Sequence, residues 1–308
     1  MQNGSSLSRL LTEEEIQRKF EGIVSRYGKW TAHRIRLSEN IYTIPESERY
    51  DVHSLRRVLQ IVSDNLSKPL SEARIIDLGC LEGGYSIEMA MGGAEVVGVE
   101  GREINIEKAR FAKDTLNLGN VEFVQDDVRN LSAEKYGTFD AVLVLGLLYH
   151  LDTPDAFHFI KRAAEVCREF IVIDTTISMH DHDRVDYEGK TYWGHRWSEF
   201  SEDTDEIAKS KSAWASLDNN TSFCFTKPSL YNLLRDAGFS SVYECHHPSD
   251  LSNYQDRINL LARKSAPVSL RTQPDIGSQP VMDFPEKEVR HIGAPFNKEP
   301  EKKRWFRW

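Results

Sequence analysis

The chain has 308 residues, with 48 Asp and Glu against 39 Lys and Arg and a formal net charge of −9, which suits one large domain with a sizeable core. An acidic surface repels phosphate polymers and anionic membranes, no stretch approaches the roughly 18 consecutive apolar residues of a membrane span, and the polar opening lacks a secretory pattern. Cys80, Cys167, Cys224 and Cys245 form neither a CxxC pair nor a disulfide framework, so the expectation is reduced thiols in the cytoplasm.

In chain order, residues 1–70 read as an N-terminal cover, with helical periodicity near residues 13–26 and 54–66 on either side of the irregular stretch WTAHRIRLSENIYTIPE. Residues 71–265 read as the core. ARIIDLG is a strand, GYSIEMAMGG a short helix, AEVVGVE a strand and REINIEKARFAKDTLNLG a helix closed by glycine. VEFVQ, FDAVLVLG and EFIVIDTTI follow as strands, with a helix over residues 155–166 before the last. Strands that are apolar on both faces belong to a parallel sheet covered on both sides, so the alternation predicts an α/β doubly wound sheet. After an interruption, KPSLYNLLRDAGF predicts a helix and VYECHH with RINLLARK an antiparallel hairpin at the sheet edge.

The interruption, residues 178–225, is an insert after the fifth strand with ten acidic against five basic residues and three tryptophans, Trp193, Trp197 and Trp214. Long connections inside a compact domain commonly serve as lids or binding elements. Residues 266–308 carry six of the eleven prolines and eight basic against six acidic residues. That composition predicts a flexible tail, with docking of Trp305, Phe306 and Trp308 as the alternative.

In a doubly wound sheet, ligands bind at the carboxyl ends of the strands. The first such end is IIDLGCLEGGYS, where Gly79 lets the chain turn out of the strand and Gly83 and Gly84 permit close approach of a ligand. Glu100 ends the second strand and offers a bidentate acceptor for ribose hydroxyls; Asp127 follows the third and could receive an adenine amino group. Asp77, inside the first turn, would repel a pyrophosphate but suits a sulfonium or ammonium group. The set favours S-adenosylmethionine over a dinucleotide.

DLGCLEGG, VGVEGRE, VEFVQDDVRNL and FDAVLVLGLLYHLDTP resemble, in order and spacing, the motifs of the class I S-adenosylmethionine-dependent methyltransferases over residues 74–175. The resemblance implies a Rossmann-like, mainly parallel seven-stranded sheet with an antiparallel edge hairpin. It assigns the methionine part to Asp77, Gly79 and Gly83, the ribose to Glu100, the adenine to Asp127 and the Val128 backbone, and the floor beneath it to Leu145. Cys80, Gly101 and Asp126 flank these positions and complete the cofactor set. The usual middle glycine of the first motif is here Leu81. The GLLYH phrase is similar to a subgroup that includes transfer RNA wobble-uridine modifying enzymes, and it also occurs in small-molecule methyltransferases.

Methyl transfer to a hydroxyl needs positioning and a base. His150, after the fourth strand, and His195, in the aromatic insert, are the candidate bases. Trp30, His33, Tyr149, Trp193 and Arg196 are the candidate acceptor contacts. His180, Asp181, His182 and Asp183 alternate ligand types, but nothing else fixes a metal geometry, so no metal is expected. The resulting expectation is methyl transfer to a small-molecule hydroxyl. A transfer RNA-modifying enzyme, motivated by GLLYH and the basic ending KKRWFRW, and a non-catalytic cofactor-binding module are the alternatives. Oligomeric state is not legible.

Overall fold

Apolar runs rich in Val, Ile and Leu form the parallel strands of the computed structural model, which describes residues 11–45, 52–212, 214–246, 256–266, 268–273 and 280–285. Helices α1 (Glu13–Tyr27) and α2 (Val52–Asn65) precede the core. The core begins with β1 (Arg74–Leu78), α3 (Gly84–Met91), β2 (Glu95–Glu100), α4 (Glu103–Thr115) and β3 (Val121–Gln125). It continues through α5 (Ala133–Tyr136), β4 (Phe139–Leu145), α6 (Asp155–Val166) and β5 (Cys167–Thr176). Next come β6 (Asp183–Tyr187), β7 (Lys190–Ser198), α7 (Glu206–Lys211), β8 (Thr221–Phe225), α8 (Lys227–Asp236), β9 (Ser241–Glu244) and β10 (Arg257–Arg263).

The main sheet has seven strands in the order β3-β2-β1-β4-β5-β10-β9. β1 to β5 pair in parallel, and β10 runs antiparallel to both β5 and β9. This is the doubly wound sheet with an antiparallel edge that the alternation predicts. Along β5, Phe170 and Val172 face a core shared with α1 to α4, whereas Ile171 and Ile173 face one shared with α6 and α8. Two dry faces explain why the strands read as continuous apolar runs instead of alternating ones. The order reverses between β1 and β4, which opens a crevice at their carboxyl ends.

The insert is more structured than its sequence suggests. β6, β7 and β8 form an antiparallel sheet of three strands. Tyr192, Phe223 and Phe225 from it surround Phe157 of α6, with ring centroids 5.0, 6.4 and 5.0 Å away. Much of its aromatic content is therefore scaffold, and its segment 214–219 is what reaches the crevice.

The N-terminal cover is clamped by a charge that the motif reading passes over. Glu82, fully buried in the turn before α3, accepts backbone hydrogen bonds from Thr31 at 2.8 Å, Ala32 at 3.1 Å and His33 at 3.2 Å. Lys108 of α4 completes the cluster with Nζ 3.1 Å from Glu82 Oε1 and 2.6 Å from the Lys29 carbonyl. A buried pair of this kind is costly to break, about 3–5 kcal/mol for loss of one partner, so it sets where residues 31–33 lie over the crevice.

Part of the tail has a place on the core. Asn232 of α8 receives a hydrogen bond from the Phe284 amide at 2.7 Å and donates to its carbonyl at 3.2 Å, while Arg235 pairs with Asp283 at 2.7 Å. Trp305, Phe306 and Trp308 lie outside the described residues.

Candidate active site

The crevice at the carboxyl ends of β1, β2, β4 and β5 is a cavity of about 380 Å³. Its first wall is the turn after β1. Gly79 has φ +74°, a left-handed conformation in which a side chain is strained, and a Cβ there would also meet Leu147 at 3.1 Å. Leu81, where the family motif has glycine, holds φ +50° at a cost of about 1 kcal/mol. Its amide donates to Glu100 Oε2 at 3.1 Å, which anchors that unusual backbone.

Glu100 is buried, with Oε1 receiving the Arg102 amide at 2.9 Å. The backbone amides thus orient the carboxylate, which keeps acceptor capacity toward the cavity. Burial raises its carboxyl above the ordinary range, partly offset by Arg102, Asn105 and Leu81. Asp77, 1 % exposed, receives the Ser86 hydroxyl at 2.7 Å. Burial pushes Asp77 up to about 6, with the Ser86 hydrogen bond opposing and the Glu100 charge adding to the rise. A cationic ligand would relieve both carboxylates.

Beyond Glu100, Gly101, Asp126, Asp127, Val128 and Leu145 line the same cavity, as does the nearly buried Cys80, whose thiol burial pushes up. The two aspartates are already engaged. Asp127 accepts from the Arg129 amide and Nε, both at 2.8 Å. Asp126 is half-buried at the same strand end. Burial would raise it, but Lys135, Tyr136 and Asn130 donate to it and bring it down to about 2.

The insert closes this end. Arg102 donates to the carbonyls of Ala215 at 3.0 Å and Ser216 at 2.6 Å, Leu217 packs over Gly101, and Arg129 bridges Asp127 to Asp218 at 2.6 Å. The meeting of Arg102 with residues 214–219 is not legible in the sequence, because it spans more than a hundred residues.

The other end of the cavity is assembled from distant parts. His150 Nδ1 lies 2.9 Å from Glu199 Oε1. A carboxylate only accepts, so Nδ1 carries a proton, and in the neutral ring the lone pair belongs to Nε2. Burial raises Glu199, but His150, Ser222 and the Ser216 amide outweigh it and hold the carboxyl below its ordinary value. His33 is the opposite case: the Gly84 amide donates to its Nδ1 at 3.0 Å. The lone pair at Nδ1 is committed, Nε2 carries the proton, and burial lowers its pKa. His33 therefore presents a donor and no base. Tyr149 lines the same space, with the Arg257 guanidinium 4.9 Å from its ring centroid. Arg257 also pairs with Asp174.

Six sequence candidates lie away from the cavity wall, each for a packing reason; one is Gly84, where a Cβ would stand 2.6 Å from His33. Gly83 has φ +81° and a Cβ there would stand 2.7 Å from Phe123 and 2.8 Å from Ala109, so its lack of a side chain serves helix–strand packing instead of ligand approach. Trp30 is buried between Phe20 and Phe111, at 5.4 and 6.0 Å, under the cover. Trp193 is half-buried in β7, where its backbone bonds Ser229 and Thr226. His195 packs on Trp197 at 5.2 Å and His182 at 5.6 Å, with Nδ1 3.4 Å from Asp183. Arg196 ties β7 to the loop after β4 through Thr153 at 2.6 Å. Among the described residues, no group of three or more His, Cys, Asp or Glu could hold a metal ion.

Residues 75–169 match the family described as "Methyltransferase domain". The N-terminal domain of EvdMO1, crystallised in the presence of SAH, superposes with a TM-score of 0.64 at 24% identity over 84% of this chain and 99% of that one. Residues 75–169 thus match a methyltransferase domain, on the fold of a domain crystallised with S-adenosylhomocysteine, and S-adenosylmethionine is the cofactor that match implies. Similar curated proteins are the "Ubiquinone biosynthesis O-methyltransferase" of Acinetobacter baylyi, 24% identical over 48% of this chain and 56% of that protein, and that of Bordetella pertussis, 32% identical over 36% and 45%. The chain thus spans about half the length of the curated relatives it matches.

The cavity fits the cofactor of this methyltransferase family. A buried acceptor pair at Glu100, an acidic group at Asp77 and a glycine turn at Gly79 suit a ribose and a cationic methionine, and they would disfavour a pyrophosphate. No helix among the described residues is long and apolar enough to cross a membrane.

Proposed function

We propose that the chain transfers a methyl group from S-adenosylmethionine to a hydroxyl oxygen of a small molecule, with His150 as the base. The observation that carries this reading is the His150–Glu199 pair on the wall of the same cavity as Asp77 and Glu100. The matched relatives, named for O-methyl transfer, support an oxygen acceptor.

The cofactor, when bound, supplies a methyl carbon whose transfer to oxygen breaks a carbon–sulfur bond and leaves a neutral thioether. Glu100 would hold the ribose hydroxyls, and Asp77 would balance the positive charge of the methionine part. His150 Nε2 takes the hydroxyl proton as the new carbon–oxygen bond forms, while Glu199 keeps Nδ1–H in place and stabilises the imidazolium that results. The buried Glu82 anchor holds residues 31–33 over the site, and segment 214–219 screens it from water on the opposite side.

A panel of hydroxylated small molecules, followed by release of S-adenosylhomocysteine, tests the reading. Turnover should be lost in His150→Ala with cofactor binding retained. Full turnover in that variant would remove His150 as the base, and lack of cofactor binding by the unaltered chain would remove the whole reading.

A further inference from the structure

The two acids that the cofactor reading assigns to the nucleoside share a local pattern. Glu100 is followed by Gly101 and Arg102, and Asp127 by Val128 and Arg129. In each case the amide two residues on donates back to the carboxylate, Arg102 to Glu100 at 2.9 Å and Arg129 to Asp127 at 2.8 Å. In each case, too, the guanidinium of that residue reaches the insert. Arg102 Nη2 donates to the Ala215 and Ser216 carbonyls at 3.0 and 2.6 Å, and Arg129 Nη2 pairs with Asp218 at 2.6 Å.

Between these two grips stands Leu217. Its side chain is half-buried and lines the cavity, and its tip lies 2.9 Å from the point where a Cβ on Gly101 would stand. An apolar side chain is thus pinned beside the carboxylate that suits a ribose. A nucleoside has polar edges, which suit the two acids, and apolar faces, which suit a leucine. The segment is tied from its other side as well, by the Ser216 amide to Glu199 at 3.0 Å and by Lys209 Nζ to the Asp218 carbonyl at 2.8 Å. The two grips differ in exposure. Ser216 is 2 % exposed, so its bond to Arg102 is sheltered, whereas the Asp218 side chain is 54 % exposed and its pair with Arg129 is open to screening by salt.

We infer that the insert supplies a wall of the nucleoside site: Leu217 covers the adenosine half of the cofactor, and Arg102 and Arg129 are positioning residues that hold it there. One residue after each acid does two jobs. Its amide orients the carboxylate that takes the polar edge, and its guanidinium fixes the segment that takes the apolar face. The inference rests on the methyl-transfer reading above.

The test is calorimetric titration of the full chain with S-adenosylhomocysteine and with 5′-methylthioadenosine, which keeps the nucleoside and lacks both the amino-acid part and a net charge. Leu217→Ala should weaken the two ligands by the same factor, about tenfold, with thermal unfolding confirming the fold. Asp218→Asn loosens the Arg129 grip. It should weaken 5′-methylthioadenosine about two- to fivefold at about 0.05 M salt and match the unaltered chain at about 0.5 M, where the pair is screened. Because this ligand is uncharged, salt acts here on the protein's own pair. Unchanged affinities in Leu217→Ala, or a loss confined to S-adenosylhomocysteine, overturn the inference, because Leu217 would then meet no part of the nucleoside. An effect of Asp218→Asn that is absent or independent of salt overturns the positioning role of Arg129. If the unaltered chain binds neither ligand, the fault lies in the methyl-transfer reading and the inference falls with it.

Discussion

The two ends of the cavity are built in different ways. At the cofactor end, Asp77, Gly79 and Glu100 come from consecutive turns of one β-α-β-α pattern, and the backbone itself orients the key carboxylate through the amides of Leu81 and Arg102. At the acceptor end, His33, Tyr149, His150, Asp174, Glu199 and Arg257 come from the cover, two strand ends, the insert and the edge hairpin. A site made by local chain geometry can stay constant while the opposite wall is exchanged, which is how one fold serves many acceptors.

The sharpest way to break this comparison is to separate the two ends by mutation. His150→Ala should lower turnover by about 10²- to 10⁴-fold, the usual contribution of a general base, with S-adenosylhomocysteine affinity unchanged. Glu100→Ala should have the complementary effect: removal of a charged acceptor of two hydroxyl hydrogen bonds should weaken cofactor binding by about 100-fold or more in calorimetry. If either variant moves both quantities together, the two ends are not independent.

A smaller effect comes from pH. Asp77 in the folded, ligand-free protein titrates at about 6, so below that pH a cationic ligand must displace a proton. Affinity for S-adenosylmethionine should fall as pH drops through about 6, by up to about tenfold per pH unit, and be flat above it. Stability runs the other way. A raised carboxyl pKa means that ionisation opposes folding, so the ligand-free protein should lose stability as pH rises from about 4 to about 6. Asp77→Asn should remove the Asp77 part of both dependences in a titration series, leaving what the raised carboxyl of Glu100 contributes. The smallest expected effect is that of His195→Ala, whose ring lies in the β6–β8 sheet away from the cavity; its turnover should stay within about twofold of the unaltered chain's.

Legibility followed the same division. The doubly wound alternation of strands and helices could be read because each element is signalled within ten or twenty residues, and the same local pattern of an apolar strand, a glycine turn and an acidic strand end is what brings Asp77, Gly79 and Glu100 to one cavity. Gly83 was legible as a glycine but not in its role, since Phe123 and Ala109 reach it from outside the motif. The aromatic residues of the insert mark a special segment, yet composition alone does not separate Tyr192, Phe223 and Phe225, which build a core around Phe157, from Trp214, which lines the cavity. Glu199 and Arg257 carry no local signal, because their meaning depends on His150 and Asp174, which lie 49 and 83 residues away. Glu82 is the instructive case within the motif itself. It sits in the glycine turn, where a ligand role is the natural guess, and it is instead the buried anchor for the cover.

The central claim is that one cavity binds S-adenosylmethionine at its Glu100 end and does its chemistry at its His150 end. Calorimetric titration of S-adenosylhomocysteine into the unaltered chain, Glu100→Ala and His150→Ala tests it most directly. The account predicts one-to-one binding for the unaltered chain, the same affinity for His150→Ala and a loss of about 100-fold or more for Glu100→Ala. Equal binding by Glu100→Ala, or binding lost in His150→Ala alone, would contradict it.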